Sequence, residues 1–330
     1  MAGEEEAWVK QQKKTFTRWA NTYMRIHASN KDIGDIYTDL KDGVKLIALL
    51  ESLSGTPFPM KYNKKPKMDA QRQDNLKMVF KFLKDLKMPL VNIGAEDITK
   101  ENHRIILALF WAFIQFYSVN SITLDGVSGK EGLLLWCKRQ TAGYEGVAVG
   151  NFHRSWFDGK AFAALLHNNV PHKIDFEACA RLGQDDCLER AFQVAEDEFN
   201  VPQIINVEDI VDAPNGKPDE KIVMTYLSLL YIEISKMAVI QKAVTSISQA
   251  VELTKKHKAL AARYEAGAAE LLEWIRATAK RYENVDEGRG GHGDTSVAIG
   301  ANMATFVAYR RETKPPKKQE LDALARAGKG

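Results

Sequence analysis

Cysteine is scarce in this sequence, and its three copies, Cys137, Cys179 and Cys187, show no paired spacing. An odd count without a signal segment argues against a disulfide scaffold and for a reducing compartment. Long apolar runs are also missing. The greasiest window, Ile105 to Tyr117, is too short to span a bilayer and is expected to be a buried helix. The opening MAGEEEAWVKQQKK has no apolar run of signal length, so a soluble, cytoplasmic chain is expected. Nor is there an excess of charge: 46 basic residues stand against 43 acidic ones, which speaks against a global nucleic-acid-binding character.

Catalytic signatures are lacking as well. The seven histidines (His27, His103, His153, His167, His172, His257, His292) form no His-Glu-x-x-His, and there is no Cys-x-x-Cys. His167 and His172 lie five apart around Pro171, a poor spacing for a metal. Gly126, Gly129 and Gly132 resemble half of a phosphate loop, but no strand pattern precedes them and no Gly-Lys-Ser/Thr follows, so they read as linker. Gly-x-Ser-x-Gly is absent, and Asp294 beside glycines does not make a calcium loop. Asp185 and Asp186 read as solvated helix-start residues. The expectation is a protein that is not an enzyme and holds no metal or cofactor.

What the chain does have is helical periodicity and an internal echo. Helices are expected at 8–28, with Val9, Phe16, Trp19, Ala20 and Tyr23 on one face, and at about 42–54, where Val44, Leu46, Ile47, Leu49, Leu50 and Leu53 make a wide apolar face. Thr56-Pro-Phe-Pro59 stops the second. A third is expected over about 70–87, closed by Pro89, and a greasy central one over 100–117. The plan then returns. Gly43 and Gly159, in the matching turns Asp-Gly-Val and Asp-Gly-Lys, lie 116 residues apart, and Trp19 and Trp136 lie 117 apart. Leu76 and Leu188, Phe80 and Phe192, and Glu96-Asp-Ile98 and Glu208-Asp-Ile210 are each 112 apart. Five features in one order mark a duplication. The predicted organisation is all-α, with one domain over 1–119, a linker over 120–128 and a homologous domain over 129–235.

From 236 the pattern changes. Ile240, Val244, Ile247 and Val251 begin a stripe that Leu260, Tyr264, Leu271 and Ile275 extend to about 284, a helix that should bundle or coil with others. Gly288 to Gly293 should break it. A second helix is expected at 295–313, holding Val297, Ile299, Met303, Phe306, Val307 and Tyr309. Pro315-Pro316 should interrupt it before helical character resumes at 319–327. Residues 236–330 thus read as a long neck helix and part of a helical rod.

The functional signal is a surface rather than a pocket. Residues 1–120 carry 19 Lys/Arg against 14 Asp/Glu, and residues 121–235 carry 10 against 18. The first helix, the lysine-rich loop at 61–67 and the basic segment at 77–87 could meet an acidic filament, with Lys13, Lys14 and Thr15 on the surface and Phe16 and Trp19 in the core.

Two stretches, Gln12-Lys-Lys-Thr-Phe-Thr-Arg-Trp-Ala-Asn21 and Asp39-Leu-Lys-Asp-Gly-Val-Lys-Leu-Ile-Ala-Leu-Leu50, closely resemble the signatures of tandem calponin-homology actin-binding domains. Gly150-Asn-Phe-His-Arg-Ser-Trp-Phe-Asp-Gly159 and Pro218-Asp-Glu-Lys-Ile-Val-Met-Thr-Tyr226 are similar to the alpha-actinin family in particular. Leu271 to Arg276 and Tyr309 to Glu320 resemble the start of its spectrin-like rod. The resemblance implies binding to filamentous actin, as the head of a cytoskeletal crosslinker; the alternative is a non-crosslinking adaptor whose rod segment docks other proteins. It implies three actin-binding segments, with Lys13, Lys14, Thr15 and Arg18 in the first, Lys84, Lys87 and Arg104 at the second, and Lys138 and Arg139 in the third. It further implies an interdomain contact between Trp111 and Lys221 that regulates access, and phosphoinositide binding near Arg154 and Lys160. Antiparallel homodimerisation is implied for a complete rod, and calcium binding for EF-hand domains at the family's far end.

Overall fold

The computed structural model describes residues 2–27, 32–287 and 303–327. Contacts divide the chain into two units, 1–239 and 240–330.

The first unit holds both copies of the repeat. In the first copy, helix α1 (Ala2–His27) buries Phe16, Trp19, Ala20 and Met24. The turn ahead of α2 (Val44–Ser54) depends on Gly43 at φ 76°, a left-handed conformation that glycine adopts without a Cβ penalty. The Asp42 carboxylate accepts the Val44 N–H at 2.9 Å and covers a donor the helix leaves open. Leu46, Ile47, Ala48, Leu49 and Leu50 are all buried, so α2 is covered on nearly every side. Gly55 closes it at φ 66°, its N–H returning to the Glu51 carbonyl at 2.9 Å.

Helix α3 (Asp69–Asp85), the short α4 (Ala95–Thr99) and α5 (His103–Ile114) complete the copy. The greasy helix starts three residues later than its hydrophobicity suggests. Glu101 sits at φ 53° and Asn102 serves as the N-cap, with its side chain accepting the Ile105 N–H. A π turn over Gln115–Val119 follows it. The stretch expected as plain linker contains a two-residue hairpin, Thr123–Leu124 (β1) against Val127–Ser128 (β2). Asp125-Gly126 fills its turn with positive φ at both positions, as the favoured hairpin turns require.

The second copy repeats the scheme with α6 (Gly129–Gln140), α7 (Lys160–Asn169), α8 (Phe176–Arg181), α9 (Gln184–Phe199) and α10 (Glu208–Val211). Gly159 precedes α7 at φ 78°, close to the value at Gly43. The homology extends to packing. A Cβ on Gly43 would lie 2.8 Å from the Asn75 side chain and 3.3 Å from the Leu76 nitrogen. One on Gly159 would lie 3.2 Å from the Cys187 sulfur and 3.0 Å from the Leu188 side chain.

Helix α11 runs without interruption over Glu220–Glu287. The closing helix of the second copy and the long helix expected from 236 are therefore one element. Its early part, from Ile222 to Leu230, is buried in the second copy, while Val244, Ile247 and Val251 are exposed.

The second unit pairs the late part of α11 with residues 303–327. Leu271 is buried, the Trp274 and Tyr309 rings stack at 6.3 Å, and the Lys317 ammonium lies 5.8 Å over the Trp274 ring. The sequence of these contacts, with Gly267 against Leu324 and Trp274 against Tyr309 and Lys317, makes the pair antiparallel. Pro315-Pro316 does not interrupt the helix as expected. A π turn over Tyr309–Thr313 carries helical residues 303–308 into α12 (Lys314–Ala327), and both prolines follow directly on that turn. The expected break at Gly288 to Gly293, and Val297 and Ile299 of the expected 295–313 helix, lie outside the described residues.

Candidate functional site: the outer face of the first helix

Helix α1 contributes two faces to the fold. Phe16, Trp19 and Ala20 enter the core of their own domain. The neighbouring pair Lys14 and Arg18, one helical turn apart, meets the second domain. Lys14 forms an ion pair at 2.6 Å with Asp209, whose side chain is 7% exposed. Arg18 donates to the Asn206 side chain at 2.6 Å and to the Gln203 carbonyl at 3.4 Å. From the inward arc of the same helix, Gln12 donates to Asp219 at 2.8 Å.

The acceptors are held in place by their own backbone. Asp209 also accepts the Asn206 N–H at 2.8 Å, as Asp97 accepts the Gly94 N–H at 2.9 Å in the first copy. The duplicated Glu-Asp-Ile motif thus has one local job in both domains and an additional interdomain one in the second. Asp219 caps α11, accepting the N–H groups of Lys221 and Ile222 at 2.9 and 3.1 Å. A carboxylate at a helix N-terminus is favoured by the helix dipole, so Gln12 meets a fixed acceptor.

Beyond Arg18 the domains leave a cleft of about 630 Å³, lined by Arg18, Arg25 and Thr22 on one side and Glu196, Gln203 and Glu233 on the other. On the far side of α1 the Phe16 ring stacks against Trp111 at 6.4 Å, and the Lys221 ammonium stands 5.7 Å over the Trp111 ring. This is the cation–π arrangement of the interdomain pair named from the sequence.

The remaining residues singled out from the sequence are spread over several surfaces. Lys13 lies 2.6 Å from Asp35 and 4.5 Å over the Tyr37 ring, within its own domain. Lys84, Lys87 and Arg104 are exposed on the first domain, Lys87 at φ 56°. Lys138 is exposed on α6, and Arg139 is paired with Asp125 of the hairpin turn. Arg154 is exposed beside His153, and Lys160 is half-buried in the first turn of α7. Burial lowers the His153 pKa below its ordinary value, and the positive charges of Lys217, Arg154 and Lys130 add to the effect. Glu220, which pairs with Lys130 at 2.6 Å, opposes them.

One expected surface residue is corrected. Thr15 is fully buried, and its hydroxyl and the Gln12 carbonyl oxygen have no hydrogen-bond partner. The reason is geometric: Thr15 shares the inward arc of α1 with Gln12, Phe16 and Trp19. Gln12, Asn206, Asp209 and Asp219 are the contact residues that sequence reasoning missed. Among the described residues no group of three or more His, Cys, Asp and Glu side chains is placed to hold a metal ion.

Comparison with known proteins agrees with this geometry. The calponin homology (CH) domain family matches twice, at residues 10–119 and 128–235. Alpha-actinin-3 of Mus musculus is 39% identical over 317 residues, 95% of this chain and 34% of that protein. Alpha-actinin-4 of Homo sapiens is 38% identical over 317 residues, 95% of this chain and 33% of that protein. The chain thus spans about a third of the length of these curated relatives. Among solved structures, the actin-crosslinking core of Schizosaccharomyces pombe fimbrin covers 67% of this chain and 48% of its own, with a TM-score of 0.54 and 19% identity, which shows the shared fold. With a CH match on each copy of its internal repeat, this alpha-actinin-like chain belongs to the calponin homology domain family.

Proposed function

We propose that the tandem binds filamentous actin, with the first domain supplying most of the contact and the second regulating access to it. The observation that carries this reading is the docking of Lys14 and Arg18 on Asp209 and Asn206. The basic face of α1 suits an acidic filament, and in this arrangement the second domain already occupies it. Opening the pair frees two cations, whereas Lys84, Lys87 and Lys138 stay exposed for a first, charge-steered encounter. Charge steering and release of a docked face together describe a binding module rather than an enzyme, at work on the cytoskeleton in the cytoplasm.

Phosphoinositide headgroups are proposed as a second ligand near the exposed Arg154 and the half-buried Lys160. Crosslinking needs a second binding head, and we assign that to rod-mediated homodimerisation of a longer assembly. Co-sedimentation with actin filaments tests the reading. The full chain and a truncation at residue 239 should both pellet with filaments. Loss of binding on truncation would place the function in the rod segment and support a docking adaptor instead.

A further inference from the structure

In the first domain the residue beneath the turn glycine is Asn75, and its amide is fully used. It donates to the Asp42 and Asn63 carbonyls, both at 2.9 Å, and accepts the Asn63 N–H at 2.9 Å. In the second domain the same place, beneath Gly159, is taken by Cys187. A thiol cannot bridge a loop as an amide does, and what it faces is another thiol. Cys179 of α8 is buried beside it, its thiol donating to the Cys187 carbonyl oxygen at 3.9 Å. Leu182 and Gly183 alone separate α8 from α9. The corner is fixed by backbone bonds from the Leu182 N–H to the Cys179 carbonyl at 3.1 Å and from the Cys187 N–H to the Gly183 carbonyl at 3.0 Å.

We propose that Cys179 and Cys187 form a peroxide-sensitive dithiol that closes reversibly into a disulfide across the α8–α9 corner. Their environments divide the roles. The neighbouring Cys187 thiol lowers the Cys179 pKa below that of an ordinary thiol, against the opposing effect of burial, and the Arg190 charge adds to the lowering. The same contact, together with burial, pushes Cys187 up and keeps it protonated. Cys179 is therefore the nucleophile. Its thiolate attacks one peroxide oxygen, the O–O bond breaks, and the departing hydroxide takes a proton to become water. The product is a sulfenic acid on Cys179. The Cys187 sulfur then attacks the Cys179 sulfur, the S–O bond breaks, and the departing hydroxide takes the Cys187 proton as a second water. Two electrons pass from the thiol pair to the peroxide. A small thiol reductant reverses the bond by exchange. Cys137, buried in α6 with its thiol pushed well up by burial, is a natural internal control.

Trypsin sites at Lys173, Arg181 and Arg190 place the two cysteines on separate peptides, 174–181 and 182–190. The test treats the folded full chain with hydrogen peroxide, then alkylates remaining thiols in denaturant. Three alkylatable thiols should fall to one, the intact mass should drop by two hydrogens, and a cross-linked pair of those peptides should appear and vanish with dithiothreitol. Cys187→Asn, which installs the residue of the first domain, should leave Cys179 oxidised to the sulfenic acid with no cross-link. If that variant does not fold, Cys179→Ser decides: its two remaining thiols should survive the same treatment. Retention of all three thiols in the wild type, or oxidation of Cys137 as fast as the pair, overturns the proposal. So does loss of Cys187 in Cys179→Ser at the wild-type rate.

Discussion

The Lys14 ammonium lies 2.6 Å from an Asp209 carboxylate that is nearly buried, so the basic face of the first domain's α1 is joined to the second domain by a partly shielded ion pair. The pair lies between the limits of exposed and buried salt bridges, and its loss should cost about 1–3 kcal/mol of interdomain docking. It also sets apart the two ways of breaking it. Asp209→Asn keeps a side-chain oxygen for the Asn206 N–H and leaves Lys14 free. Lys14→Ala breaks the lock and at once removes a cation from the face proposed to meet the filament. Asp209→Asn should therefore raise filament affinity, and Lys14→Ala should change it little. Amide hydrogen exchange should show faster exchange around 203–212 in both variants, and equal filament affinities for the two would count against a shared use of Lys14.

The turn glycines are predicted to be equally intolerant in both copies. Gly43→Ala puts a Cβ at φ 76° and 2.8 Å from Asn75, and Gly159→Ala puts one at φ 78° and 3.0 Å from Leu188. Left-handed strain of about 1–2 kcal/mol adds to repacking of about 1–3 kcal/mol. Each should lower the melting temperature by several degrees in calorimetry. A neutral effect at either site would show that its turn relaxes.

Asp39 organises the approach to α2. Its carboxylate accepts Lys45 at 2.7 Å and the N–H groups of Gly34 and Asp35 at 2.8 and 3.3 Å. Burial acts to raise its pKa, but these donors more than offset it, and the folded pKa lies below the ordinary carboxylate value. A depressed folded pKa gives stability that is present above the unfolded pKa and is lost as pH falls through the folded one. Asp39→Asn should cost about 1–3 kcal/mol at neutral pH and flatten the fall in stability below pH about 4. Urea unfolding at pH 7 and pH 3 checks both parts; an unchanged acid limb would contradict the assignment.

Much of this architecture is legible in the residues, because a repeat writes its core twice. Gly43 and Gly159 mark the same turn, and Leu76 and Leu188 lie beneath it in both copies. The docked face is less legible, since helical periodicity reports burial without saying against what. Lys14 and Arg18 look like solvated cations until Asp209 and Asn206, nearly 200 residues away, are brought to them. Thr15 is polar and is nonetheless buried, at a cost that neighbouring packing offsets. The Cys179–Cys187 pair is similarly hidden, because a spacing of eight becomes proximity only when the chain turns a corner between them. On α11, by contrast, the stripe from Val244 to Val251 predicts burial, and the described residues leave it exposed.

On the proposed function the domains hold each other closed, and opening exposes the basic face of α1 to actin. Lys221 over Trp111 at 5.7 Å is a contact made solely in the closed pair, worth about 0.5–2 kcal/mol, or roughly 2- to 30-fold in a docking equilibrium. The most direct measurement is filament affinity by co-sedimentation for the wild type and Lys221→Glu at one fixed salt concentration. An affinity raised within that range is the predicted result, and an unchanged or weaker affinity would contradict the account.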